Sequence, residues 1–396
     1  MIRWISAALC TLVLVAVALC LPVWSVRAQR SAEASVTSDG CVSVVTVVQK
    51  RKRALFGAEP ETVLYGDEAY SSMEAWSATG SMVNIVLYDI GRDYGFPLAK
   101  GVMGYFYDKD YYIPVPSGDL RYSNQGKYFY VDTYYAAKLP DTTLSTLAHE
   151  FQHMIGFGVD KSADGEETET WYHELLALLA EDALCSFLQL PESASPRSRL
   201  ARFNADYALS GIEYNTAEGS LSYATLYAFG AWLSRNFGGA AFIRELAQNR
   251  RANVASVVSA VNVCNGTAYT FADLLRLYTQ ALVDSAAPYS LNKAPAASFR
   301  YEDAALSYDY PLAPIDLWSD AYCWTTEDYA ACTLWNERTD GGSYRAPALF
   351  NPAAVAPAVR PRGFVLYQLG TASEETVTVT LSAGSAAVQC RLLALD

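Results

Sequence analysis

"LSTLAHEFQHMI", residues 144–155, decides how this chain is read. Leu144, Leu147, Ala148, Phe151, Met154 and Ile155 recur at i, i+3, i+4, i+7, i+10 and i+11, a continuous apolar stripe that predicts an amphipathic helix. Asp141 or Thr142 is suited to cap its start, and Gly156 or Gly158 to stop it. His149, Glu150 and His153 lie on this helix, and the only other histidine of the 396 residues is His173. A chain that uses histidine so sparingly and gathers it in one window points to chemistry there.

Residues four apart share a helix face, so the imidazoles of His149 and His153 project side by side and can bind one zinc ion. Glu150 sits one position on, beside the metal rather than aimed at it. That is where a general base takes a proton from zinc-bound water. Zinc needs a third protein ligand and must keep a fourth position open. Glu174 is the candidate, at the start of a second predicted helix, "WYHELLALLAEDALCSFLQL". Glu174, Ala177, Leu178, Glu181 and Cys185 form one face of it, while His173 competes as ligand. Glu181, or Asp182 beside it, is placed to hold the free ring nitrogen of a zinc histidine. The competing reading of these two acids is a solvated turn.

Around this core the composition is that of a globular protein: 52 % hydrophobic, 18 % charged and 13 % aromatic. A formal charge of −13 argues against nucleic acid and strongly anionic surfaces as partners. The N-terminal "MIRWISAALCTLVLVAVALCLPVWSVRAQR" has a basic residue, an apolar run and "VRA", an export signal cleaved after Ala28. The rival readings are an uncleaved membrane anchor and lipidation at Cys20. Export places the remaining cysteines, Cys41, Cys185, Cys264, Cys323, Cys332 and Cys390, where three disulfides can form. No CxxC-like spacing suggests a zinc–thiolate site.

The predicted architecture is α+β. Residues 1–28 are the signal. Residues 29–140 are β-rich, with "CVSVVTVVQ", "VNIVLYDIG", "GVMGYFYDKDYYIPV" and "KYFYVDTYY" as strands in a mixed or antiparallel sheet. Between the first two, "QKRKR" reads as a solvated loop. Residues 141–285 are helical and zinc-binding, with further helices in "LSYATLYAFGAWLSRNFGG" and around 240–248, 252–262 and 270–284. Residues 286–396 form a Pro/Ala-rich linker and a small β-rich C-terminal domain, with "GFVLYQLG", "ETVTVTLSAG" and "AAVQCRLLAL" as strands.

Read together, "VNIVLYDIG", "MGYFYDKD", "YSNQGKYFYVDT", "STLAHEFQHMI", "WYHELLALLAED" and "YATLYAFGAWLSRNFGG" resemble the gluzincin metallopeptidases, and within them the hyicolysin-like family of secreted bacterial zinc proteases. The likeness covers roughly residues 80–250. It implies His149, His153 and Glu174 as zinc ligands and Glu150 as catalytic base. Where the family pattern reads W-x-N-E, His173 replaces the asparagine. The resemblance also implies an oxyanion-stabilising tyrosine on a later helix, Tyr223, with Tyr227 in reserve; His173 is the other donor. The implied activity is zinc-dependent endopeptidase action on peptides or proteins, with one zinc per chain and a zinc-activated water. An extended substrate is expected to pair along "KYFYVDT" as the sheet edge. Nucleic acid is excluded as a partner, and membrane contact is confined to an N-terminal anchor or lipid. The competing classes are an exported adhesion protein on an inactive peptidase scaffold and a zinc hydrolase of non-peptide bonds.

Overall fold

The structure, a computed structural model, describes residues 44–47, 83–90, 102–112, 119–124, 126–159, 166–284, 286–300, 307–318, 322–324, 342–344, 346–350 and 358–368. The export signal, the "QKRKR" segment, Cys41, Cys332, Cys390 and the two last predicted strands lie outside them. Among the described residues, no helix is long and apolar enough to cross a membrane.

A four-stranded mixed sheet precedes a helical body. Its strands are β1 (Val44–Val47), β2 (Val83–Tyr88), β3 (Gly104–Phe106) and β4 (Lys127–Asp132), in the order β1-β2-β4-β3. β1, β2 and β4 run parallel, and β3 pairs antiparallel with β4 at the edge. The "KYFYVDT" strand is therefore interior, correcting its expected place at the edge. β4 is buried along nearly all its length, as a strand flanked on both sides and packed against a helix must be. Its continuation also differs from expectation. Asp132 accepts hydrogen bonds from the amides of Tyr134 and Tyr135, turning the chain into helix α1 (Thr133–Lys138) where the tyrosines had suggested further strand.

The helix carrying the histidines, α2 (Pro140–Gly158), follows after Leu139. Pro140 occupies its first turn and no side chain caps it, so neither Asp141 nor Thr142 acts as cap. Helix α3 (Thr170–Leu188) is buried at nearly every position from Trp171 to Cys185, and ends where Gln189 adopts a left-handed conformation. Then come α4 (Leu200–Asp206), α5 (Gly219–Asn236), α6 (Ala240–Gln248), α7 (Asn253–Asn265) and α8 (Phe271–Val283). Each of the helices expected from α5 onward is present within a few residues of its predicted ends.

α2 and α3 pack antiparallel. Phe129 of β4 meets Phe151 of α2 edge-on at 5.7 Å, which fixes the sheet against the same helix. Two antiparallel strand pairs follow α8, β5 (Ala296–Arg300) with β6 (Ser307–Pro311) and β7 (Tyr322–Trp324) with β8 (Gly342–Tyr344). The segment 358–368, part of the expected linker and C-terminal β-rich region, touches the helical body. Phe364 stacks on Tyr207 at 5.0 Å, the Tyr207 hydroxyl donates to Ala348 O, and Leu366 N donates to that hydroxyl.

Cys185 and Cys264 carry free thiols, so the expected set of three disulfides does not form. Cys185 is instead a buried packing residue whose thiol donates to Ser145 Oγ at 3.4 Å.

Behind the histidine helix, the buried Asp182 of α3 takes Arg235 of α5 at 2.8 Å and the Tyr227 hydroxyl at 3.1 Å. Arg235 also donates twice to Ala313 O, at 2.9 and 2.7 Å. One ion pair thus joins α3, α5 and the segment following β6. Removing one partner strands a buried charge. Arg235→Ala is expected to destabilise the fold by about 3–5 kcal/mol, read by denaturant unfolding.

Candidate metal centre

Antiparallel packing of α2 on α3 aligns two polar rows. On α2, Ser145, His149 and His153 recur every four residues and face α3. On α3, Glu174 and Glu181 are seven residues apart, about 10.5 Å along the axis and back on the same face. The rows meet in order. Cys185 contacts Ser145; Glu181 contacts Ser145 and His149; Glu174 contacts His149 and His153.

His149 stands between two carboxylates. Its Nδ1 lies 2.7 Å from Glu181 Oε1, and its Nε2 lies 3.1 Å from Glu174 Oε2. His153 Nε2 approaches the same Glu174 oxygen at 3.6 Å. That oxygen is buried and has no hydrogen-bond partner. The donor atoms of His149, His153 and Glu174 lie within 4.8 Å of one another. An orphaned carboxylate oxygen facing two imidazole nitrogens costs free energy unless a cation joins them. Two nitrogens and one oxygen also form a suitable donor set for zinc. The residues present therefore fit a divalent ion.

Glu150, one residue on, points away from this triangle toward the sheet. Its Oε2 accepts a hydrogen bond from Phe106 N of β3 at 2.8 Å. Gly104 makes that approach feasible, because a Cβ there would stand 2.8 Å from Tyr130 O and 3.2 Å from Thr146 Cγ2.

With protein charges alone, the titratable groups separate. Burial pushes the Glu150 carboxyl up to about 7, against the pull of His149 and the Phe106 amide. Burial would also raise Glu174, but His149, His153 and the Tyr223 hydroxyl hold it down at about 2. Burial works against the His149 proton, yet Glu174 and Glu181 overcome it and lift His149 to about 10. Burial and the charge of His149 depress His153 to about 3. Two ionised carboxylates thus face one imidazolium, and the Arg199 guanidinium 3.1 Å from Glu181 supplies the second positive charge.

Tyr223 of α5 lies against Glu174, and its ring meets that of His149 at 6.0 Å. Burial and the Glu174 charge raise its hydroxyl well above its ordinary pKa, so it stays a donor. Tyr227, the reserve, is fully buried on Asp182 and does not reach the site. His173 falls outside the three-donor cluster and packs against α2, where a Cβ on Gly156 would lie 3.4 Å from its Nδ1.

Of the two acids considered for the second ring nitrogen, Glu181 takes that place. Both are buried, so the solvated-turn reading fails. Arg199 was missed: its NH1 lies 3.1 Å from Glu181 Oε2. No local spacing marks it, since it enters from a 3-10 turn (Pro196–Arg199) after α3.

These elements define a peptidase class. The chain matches the family described as Peptidase M30 over residues 59–328, and it belongs to that family. The hyicolysin-like resemblance therefore holds. Over 181 residues the chain is 29 % identical to the Neutral metalloprotease ShpI of Staphylococcus hyicus, a match covering 42 % of this chain and 38 % of that relative. The chain thus matches well under half of the relative's length.

Because Glu181 meets the second ring nitrogen of His149 at 2.7 Å, Glu181→Ala is expected to weaken divalent-metal binding by roughly 10- to 100-fold. Competition titration against a chromophoric chelator measures this.

Proposed function

We propose that this chain is an exported zinc-dependent endopeptidase of gluzincin type. The observation that carries the reading is the convergence of His149, His153 and Glu174 on one unpartnered carboxylate oxygen, with Glu150 held alongside by the edge strand. His149 and His153 through Nε2, and Glu174 through its carboxylate, would hold one zinc ion. When bound, zinc polarises the scissile carbonyl and lowers the pKa of water.

The chain's own residues supply the rest. Glu150 accepts a proton from the attacking water on a carboxylate oxygen and delivers it to the leaving amine. The Phe106 amide fixes which oxygen is available. The Tyr223 hydroxyl donates a hydrogen bond to the oxyanion, and His173, on the His153 side, is the alternative donor. Among the described residues β3 is the half-buried edge strand that bonds Glu150, so an extended substrate pairs there rather than on β4. The sequence carries no motif that marks an acidic pocket for a substrate's amino terminus, which favours cleavage within chains. Export rests on the N-terminal sequence, with membrane contact limited to that segment.

The test is cleavage of an unfolded protein substrate together with metal analysis. One zinc per chain, loss of cleavage with chelator and recovery on adding zinc are expected. Glu150→Gln is expected to keep the zinc and lose activity by about 10²–10⁴-fold. A zinc-loaded wild-type chain that cleaves no peptide bond would overturn the reading in favour of an adhesion scaffold or another hydrolase.

A further inference from the structure

Arg199 touches both sides of the metal centre. Its guanidinium donates to Glu181 Oε2 at 3.1 Å, and the other oxygen of that carboxylate meets His149 Nδ1 at 2.7 Å. The same guanidinium carbon stands 5.6 Å from the ring centroid of Tyr223, whose hydroxyl lies against Glu174. One cation therefore braces a ligand histidine through a carboxylate and a candidate oxyanion donor through its ring face.

We propose that Arg199 is a positioning residue for this centre, setting His149 through Glu181 and Tyr223 through cation–π contact; the inference rests on the zinc-peptidase reading. The Glu181 carboxylate is buried and bonded on both oxygens, by His149 on one and by Ser145 and Arg199 on the other. A carboxylate so held cannot rotate without breaking one set, so its orientation is transmitted to the imidazole. Ser145 supplies a dipole but no charge. Arg199 supplies the positive charge that a buried carboxylate requires, and its planar fork lies where a flat face also meets the Tyr223 ring. A lysine ammonium keeps the charge and loses the flat face.

The two functions can be separated. In Arg199→Ala, zinc affinity is expected to fall about 10- to 100-fold. In the Arg199→Ala/Glu181→Ala double variant it is expected to fall no further than in Glu181→Ala alone, because Arg199 acts through Glu181. Arg199→Lys is expected to restore most of the affinity, yet to lower kcat at saturating zinc by roughly 2- to 30-fold with KM unchanged. On a Tyr223→Phe background that kcat loss disappears.

The measurements are chelator-competition titration, steady-state kinetics on a peptide substrate and thermal melting of the metal-stripped chains. Additive losses in the double variant would overturn the proposal. So would Arg199→Lys losing affinity and kcat together alongside a lowered melting temperature, the pattern of a merely structural residue. That comparison also decides the matter if Arg199→Ala fails to fold. A wild-type chain that binds no zinc removes the metal-centre reading and this inference together. Zinc-loaded wild type with indifferent Arg199 variants removes this inference alone.

Discussion

A buried carboxylate must be met by a cation or by donors, and helix α3 carries three of them along a length otherwise packed with leucine and alanine. Each is met differently. Glu174 faces two imidazoles, Glu181 takes His149, Ser145 and Arg199, and Asp182 takes Arg235 and Tyr227. Those partners come from α2, from the turn before α4 and from α5. Satisfying one helix therefore sets the placement of the elements around it. The site is a consequence of this constraint: where a protein cation completes the shell, the carboxylate is structural, and where two imidazoles leave an oxygen orphaned, there is room for a metal.

The sheet contributes the other half of the geometry. On its antiparallel edge strand β3, Gly104 has no space for a side chain between Tyr130 O of β4 and Thr146 of α2, and Phe106 of the same strand places its amide on Glu150. The residue proposed as base is thereby tied to the strand proposed to carry substrate. A peptide pairing with β3 would be registered against Glu150 by backbone alone. The segment 358–368, beyond the family match, reaches the same body: Arg362 pairs with Glu169 at 3.1 Å and lies 5.1 Å from the Trp171 ring, at the entrance to α3.

Much of this was legible in the chain itself. The 3.6-residue stripe from Leu144 to Ile155 specified α2, and histidines four apart required a shared face whatever the fold. The spacing of Glu174 and Glu181 on one predicted face specified that both can serve one neighbouring helix. Periodicity is a local property, so α3, α5, α6, α7 and α8 were readable within a few residues. One failure was settled by a neighbouring cap and another by a distant contact. "DTYY" has strand-like composition, but Asp132 caps the amides that follow it and the chain turns helical. Six cysteines suggested three bridges, but Cys185 packs on Ser145, a contact no cysteine count can foresee.

Sequence alone thus determined which residues could share a helix face and which chemistry that face can support, because backbone geometry fixes side-chain direction within an element. Only tertiary structure decided that Glu181 rather than Asp182 meets His149, that Tyr227 is buried behind the site, and that β3 rather than β4 is the edge. It alone brought Arg199 to Glu181 across 18 residues and Arg235 to Asp182 across 53. A charge's partner is chosen by what packing leaves within reach in a low-dielectric interior, and pattern along the chain carries no record of that choice.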